Sequence, residues 1–161
     1  MLKYVGAVVT FAEIPDEITL CINISNCPNR CKGCHSQYLW EDKGTPLDLQ
    51  HLTDLIDGNT GISCVCLMGG DANPDDVDYV AESIKDYYPG LKVAWYSGKN
   101  ELSKDIDINN FDYIKIGSYD EELGPLDSPT TNQVFYIVED GKLYDQTYRF
   151  WKKRKDGENK H

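Results

Sequence analysis

A chain of 161 residues is long enough for one domain with a real core, or at most a domain with an appendage. Apolar residues make up 40% and charged residues 27%, and no uninterrupted apolar run approaches the ~20 residues of a membrane-spanning helix, so no membrane span is expected. The net charge of −11 repels a phosphate backbone and argues against nucleic acid as a partner, and the basic tail RFWKKRK leaves the rest of the chain more negative still.

The opening MLKYVGAVVTFAEIPDE lacks an Ala-x-Ala-like cleavage site and reads as a first strand rather than an export signal. Residues 18–25 alternate, with Ile18, Leu20, Ile22 and Ile24 on one face and Thr19, Cys21, Asn23 and Ser25 on the other, which predicts a strand running into CPNRCKGCH. Thr45, Pro46 and Asp48 then predict a helix start, with Thr45 as N-cap, Pro46 at N1 and Asp48 at N3. Leu49, Leu52 and Ile56 carry its buried stripe to Gly58, with His51 on the solvent side. Residues 62–68 are apolar at both parities, as in a strand covered on both faces, and end at Gly69-Gly70.

A second helix follows, capped by Asn73, with Pro74 at N1, Asp75 and Asp76 in its first turn and a stripe of Val77, Val80, Ala81 and Ile84. Residues 93–98 then read as a strand, 100–106 as a short helix and 112–119 as a strand, before two strand-like runs about an Asp140-Gly141 turn. Alternating strands and helices imply a parallel sheet with right-handed crossovers and ligands at the carboxyl ends of its strands. The expected fold class is therefore α/β. A closed eight-unit barrel takes ~250 residues, so this chain can build only an open partial (β/α) barrel with a C-terminal hairpin. The domain is expected to span 1–148, followed by a tail at 149–161.

Six cysteines without an export signal imply a reducing compartment, the cytoplasm, where thiols serve as ligands or catalysts rather than disulfides. Cys27, Cys31 and Cys34 fall within eight residues, whereas Cys21, Cys64 and Cys66 sit among apolar positions and read as small buried hydrophobes. Three thiolates at C-x-x-x-C-x-x-C suit zinc or an iron–sulfur cluster. Zinc wants a fourth ligand, and His35 adjoins Cys34 too closely to be a good one. Cys31-Lys32-Gly33-Cys34-His35 also matches the C-x-x-C-H of haem attachment, and Cys31/Cys34 the spacing of a thioredoxin-like pair, but both leave Cys27 without a role. A fourth competing reading is a cubane cluster on three cysteines with one iron open to a substrate.

C-x-x-x-C-x-x-C just after a strand resembles the signature of radical S-adenosylmethionine enzymes. That resemblance implies that Cys27, Cys31 and Cys34 hold a 4Fe-4S cluster whose open iron chelates the amino and carboxylate groups of S-adenosyl-L-methionine. It also implies a partial barrel of the radical SAM type. Met68-Gly69-Gly70-Asp71 stands where that family has a Gly-Gly-Glu-Pro-like element receiving the methionine amino group, with Asp71 one methylene short and Ala72 in place of proline. Ser97 and Ser118, at strand ends, are candidates for the cofactor's ribose or carboxylate, and His35 for a positioning role near the cluster. Tyr119 serves the same rim or packs, and Trp95 and Tyr96 line the pocket or belong to the core.

The Cys-x-Gly-Cys-His form, Trp95-Tyr96-Ser97-Gly98 and Thr131-Asn132-Gln133-Val134 are similar to the small activating proteins of anaerobic ribonucleoside-triphosphate reductases, over residues 10–138. The resemblance implies a radical SAM oxidoreductase that reductively cleaves S-adenosylmethionine and removes a Cα hydrogen from a glycine of the large reductase subunit, with a flavodoxin-like reductant. The competing expectations are a radical enzyme acting on a small molecule or peptide, and a non-catalytic iron–sulfur electron-transfer module.

Overall fold

A computed structural model describes residues 1–29 and 37–150. Cys31, Cys34, His35 and the tail from residue 151 onward lie outside the described residues. β1 (Lys3–Thr10) pairs antiparallel with β2 (Thr19–Ile24), and β3 (Thr45–Pro46) adds to the other edge of β1. Then come α1 (Leu49–Asp57), β4 (Cys64–Met68), α2 (Pro74–Tyr87), β5 (Lys92–Tyr96) and β6 (Tyr113–Ile116). β7 (Val134–Glu139) and β8 (Lys142–Asp145) form the expected hairpin, with Asp140 and Gly141 both at positive φ, as a two-residue turn of matching twist requires.

Among the described residues the strands make one mixed sheet in the order β3-β1-β2-β4-β5-β6-β7-β8, in which β2, β4, β5 and β6 are parallel neighbours. The parallel strands are added in one direction without reversal, so crossovers of one hand leave both helices on the same face. The core shows this directly. Leu20, Ile22, Val65, Leu67, Val93, Trp95 and Ile114 pack with Leu52 and Ile56 of α1 and Val77, Val80, Ala81 and Ile84 of α2. The opposite parity, Cys21, Cys64, Cys66, Ala94, Tyr96 and Tyr113, packs instead against Ile14 and Phe135, with Leu126 and Phe150 at its margin. Both parities of β2 are thus buried, including the Thr19 and Cys21 side, because residues outside the helices cover the second face.

Three local expectations need correction. Thr45 is not an N-cap: Thr45 and Pro46 extend along Tyr4 and Lys3, Leu47 N donates to Leu2 O at 2.8 Å, and the cap is Asp48, which accepts from His51 N at 2.8 Å. Pairing with the β1 edge outweighs the local helix signal, and Pro46 is tolerated because an edge position asks little of its missing N–H. His51 is accordingly half-exposed and bonded to Asp48 rather than free in solvent. Residues 100–106 form no helix. Asn100 accepts from Ser118 N, Asp78 accepts from Asp107 N, and the only helical turn there is a 3-10 turn at Ile108–Asn110. Asn73 does occupy the N-cap position of α2, but its side chain makes no capping bond.

Ile84 is fully buried on α2, whereas Tyr79 on the same helix is 66% exposed. Ile84→Ala should lower unfolding free energy by about 2–5 kcal/mol, and Tyr79→Ala should change it by no more than about 0.5 kcal/mol. Denaturant titration of the two variants checks the helix orientation.

Candidate functional site

The carboxyl ends of the four parallel strands put one side chain each into a single row. The register pairs Asn23 with Met68, Met68 with Tyr96, and Tyr96 with Lys115. All four line a cavity of about 190 Å³, together with Cys27, Asn29, Gly69, Asp71 and Gly98. The row lies on the face away from the helices, and one layer deeper Cys21, Cys66, Ala94 and Tyr113 form its floor. The Lys115 ammonium stands 5.3 Å from the centre of the Tyr96 ring, which places a positive charge and an aromatic face side by side in the wall. The Tyr96 hydroxyl donates to Glu13 O, and burial pushes its pKa upward, so it enters the site as a neutral wall.

Cys27 reaches this cavity because the chain turns sharply at the end of β2. Asn26 adopts φ 61, and the backbone N–H groups of Asn26 and Cys27 donate to Glu41 O at 2.9 Å and Leu39 O at 2.8 Å. Ser25 secures the same corner through its hydroxyl to Lys43 O at 2.5 Å. Cys27 is partly exposed at the cavity wall, the one described cysteine placed so.

Gly69 and Gly70 follow β4 at φ 113 and 96, and a Cβ on Gly70 would stand 2.5 Å from Val77 Cγ2. The two glycines therefore satisfy a backbone requirement of the β4–α2 turn. Trp95, expected either at the pocket or in the core, is core: it is 1% exposed, and its indole N–H donates to Gly69 O at 2.7 Å, fixing the turn from below.

Asp71 is the hub of the rim. Its Oδ1 accepts from Ser97 Oγ at 2.5 Å, and its Oδ2 accepts from Gly98 N at 2.7 Å and Asn29 Nδ2 at 2.6 Å. Three segments distant in sequence thus converge on one carboxylate: the start of the cysteine loop, the end of β4 and the end of β5. Ser97 is 2% exposed and acts through Asp71 rather than facing the cavity. Ser118 bonds to Asn100 and lines a separate acidic recess with Asp120, Glu121 and Glu122, so the structure does not bring it to the Cys27 cavity. Tyr119 lines both spaces. Gln133 also lines the cavity and donates to Gly117 O at 3.3 Å.

Sequence reasoning missed Asn29, Asn23 and Lys115. Asn23 and Lys115 carried a faint signal, being the polar positions two residues beyond Cys21 and Tyr113 on the same face.

The other three described cysteines are packing. Cys21, Cys64 and Cys66 are at most 3% exposed. Burial pushes the Cys64 thiol well up, reinforced by the Glu17 carboxylate, and burial with a hydrogen bond to Cys21 does the same at Cys66. Among the described residues no three His, Cys, Asp or Glu side chains converge to hold a metal. In iron-free reduced protein, iodoacetamide should therefore label Cys27 while sparing Cys21, Cys64 and Cys66 until the protein is unfolded, as peptide mapping would show.

No helix among the described residues is long and apolar enough to cross a membrane. Comparison with curated proteins and with solved structures gives no match. A family model described as a 4Fe-4S single cluster domain matches residues 18–123, about two thirds of the chain, from the start of β2 past Tyr119, and so takes in every cavity-lining residue named above except Gln133. With an accessible Cys27 at the cavity and the remaining described thiols sealed in the core, the chain belongs to the 4Fe-4S single cluster domain family and is an iron–sulfur protein.

Proposed function

We propose that this iron–sulfur protein is a radical S-adenosylmethionine enzyme that generates a glycyl radical on a partner protein, the large subunit of an anaerobic ribonucleoside-triphosphate reductase. The observation that carries the reading is the position of Cys27. It opens into a cavity at the carboxyl ends of parallel strands, on the face away from α1 and α2, against Gly69, Asp71 and Gly98. The fold is read as a partial barrel of the radical SAM type. Strands added in one direction with α1 and α2 on one face, and a sheet that among the described residues ends at β3 and β8 without closing, favour it over a doubly wound sheet.

Cys27, Cys31 and Cys34 hold the 4Fe-4S cluster. When bound and reduced, it supplies the electron that cleaves the sulfonium of S-adenosylmethionine to methionine and a 5′-deoxyadenosyl radical. The chain's own groups bind and orient the cofactor. An ionised carboxylate offers about four acceptor positions, and Asp71 uses three, so one remains for the methionine ammonium. The Lys115 ammonium suits the methionine carboxylate, and the Tyr96 ring and Met68 provide an apolar wall that limits water. With the cofactor so held, transfer of one hydrogen atom from a glycine Cα of the partner to the 5′-deoxyadenosyl group would leave 5′-deoxyadenosine and the glycyl radical, for one electron drawn from a flavodoxin-like donor. An open sheet, unlike a closed barrel, leaves room for a peptide loop.

The test is anaerobic reconstitution with iron and sulfide, reduction in the presence of S-adenosylmethionine, and assay for 5′-deoxyadenosine with and without the reductase. Cleavage together with a glycine-centred signal in electron paramagnetic resonance is the expected result. It should be lost in Cys27→Ala, Cys31→Ala and Cys34→Ala and retained in Cys64→Ala. Cleavage without a signal on the reductase would move the substrate to a small molecule or peptide, and iron without cleavage would leave only an electron-transfer module.

A further inference from the structure

Asn29 belongs to no pattern read from the sequence, yet its amide nitrogen sits between two groups of the site. Nδ2 lies 2.6 Å from Asp71 Oδ2 and 3.6 Å from Cys27 Sγ. A carboxylate only accepts, so the NH2 end of the amide must face Asp71, and its second hydrogen is left for the sulfur. Asp71 is itself held by Ser97 Oγ and Gly98 N, which removes its freedom to rotate away. The space for this arrangement depends on Gly98: a Cβ there would stand 2.5 Å from Asn29 Nδ2 and 3.2 Å from its Cγ. A donor aimed at one thiolate, a carboxylate fixing that donor and a glycine making room for it form one connected device.

We infer that Asn29, oriented by Asp71, donates a hydrogen bond to the Cys27 thiolate and so sets the reduction potential of the cluster. Hydrogen bonds to ligand sulfurs are one of the levers that tune iron–sulfur potentials, and groups behind a metal ligand commonly fix its orientation. The sign follows from charge. Reduction adds an electron to the cluster and its thiolates, and an N–H donor stabilises the more negative state. Losing the donor therefore makes the cluster harder to reduce. Asn29 and Asp71 are positioning residues in this scheme, acting on the cluster through Cys27. The inference rests on Cys27 being a ligand, but on no step of S-adenosylmethionine chemistry.

The experiment is redox titration of the reconstituted protein without S-adenosylmethionine or partner, with iron and sulfide content measured alongside. Asn29→Leu removes the donor at similar size, and Gly98→Ala displaces it while leaving the sequence of the cysteine loop unchanged. Each should shift the oxidised-to-reduced ratio at fixed potential about tenfold toward oxidised, equivalent to ~59 mV more negative for one electron. Unchanged or more positive potentials at full iron content would overturn the inference. Should the variants fail to take up iron, the wild-type protein decides. With asparagine side chains labelled with 15N, pulsed electron paramagnetic resonance of the reduced cluster should show a nitrogen coupling, and its absence would overturn the inference. A cluster that survives Cys27→Ala with unchanged potential would also overturn it, by removing the ligand on which it rests, whereas failure to form 5′-deoxyadenosine would count only against the proposed function.

Discussion

The carboxylate of Asp71 is the fixed point of this site. It gathers Ser97 Oγ, Gly98 N and Asn29 Nδ2, at 2.5, 2.7 and 2.6 Å, from segments that no local folding rule would bring together. Hydrogen bonds to a charged group contribute about 1.5–3 kcal/mol each in general, although a shared acceptor makes them non-additive. Their main effect here is geometric. Through Asn29, Asp71 ties the position of Cys27 to the ends of β4 and β5.

That dependence explains why the layer beneath the rim is apolar and neutral. Cys21, Cys66, Ala94 and Tyr113 form a floor of small or aromatic side chains, and the raised pKa values of Cys66 and Tyr113, due first to burial, keep them uncharged. A low-dielectric floor strengthens each polar contact above it. Below it, the Ser63 hydroxyl donates to Glu17 at 2.7 Å and the Tyr113 hydroxyl to the other oxygen, so the buried Glu17 carboxylate has a donor on each oxygen at the opposite end of the strands. Structural polar groups thus sit at the amino ends of the strands and the cavity-lining ones at the carboxyl ends.

Much of this was legible from residue patterns with short range. The stripe of α2, the doubly covered β4 and the Asp140-Gly141 hairpin follow from periodicity and turn chemistry, and the cysteine spacing singles out Cys27, which lies at the cavity. The failures are long-range. Thr45-Pro46 carries a sound helix-start signature, but Leu2 and Tyr4, some forty residues earlier, claim that backbone as a strand. Residues 100–106 have helical spacing, but the Asn100 side chain is drawn to Ser118 N at one end and Asp78 captures Asp107 N at the other. Asp71 was legible as a site residue by its place after two glycines, yet not as a hub, because its partners lie up to 42 residues away. Asn29 had no signal at all, since a lone polar residue between cysteines has no period, and only the folded rim gives it a partner.

The central proposal is that Cys27 would hold the cluster at this cavity, with Asp71 beside it to receive the methionine end of S-adenosylmethionine. Electron–nuclear double resonance on the reduced cluster, with the cofactor carrying 15N in its amino group and 17O in its carboxylate, tests this most directly. Coupling of both labels to the cluster is the expected result; a fully loaded, reduced cluster that shows neither coupling at saturating cofactor would contradict the account.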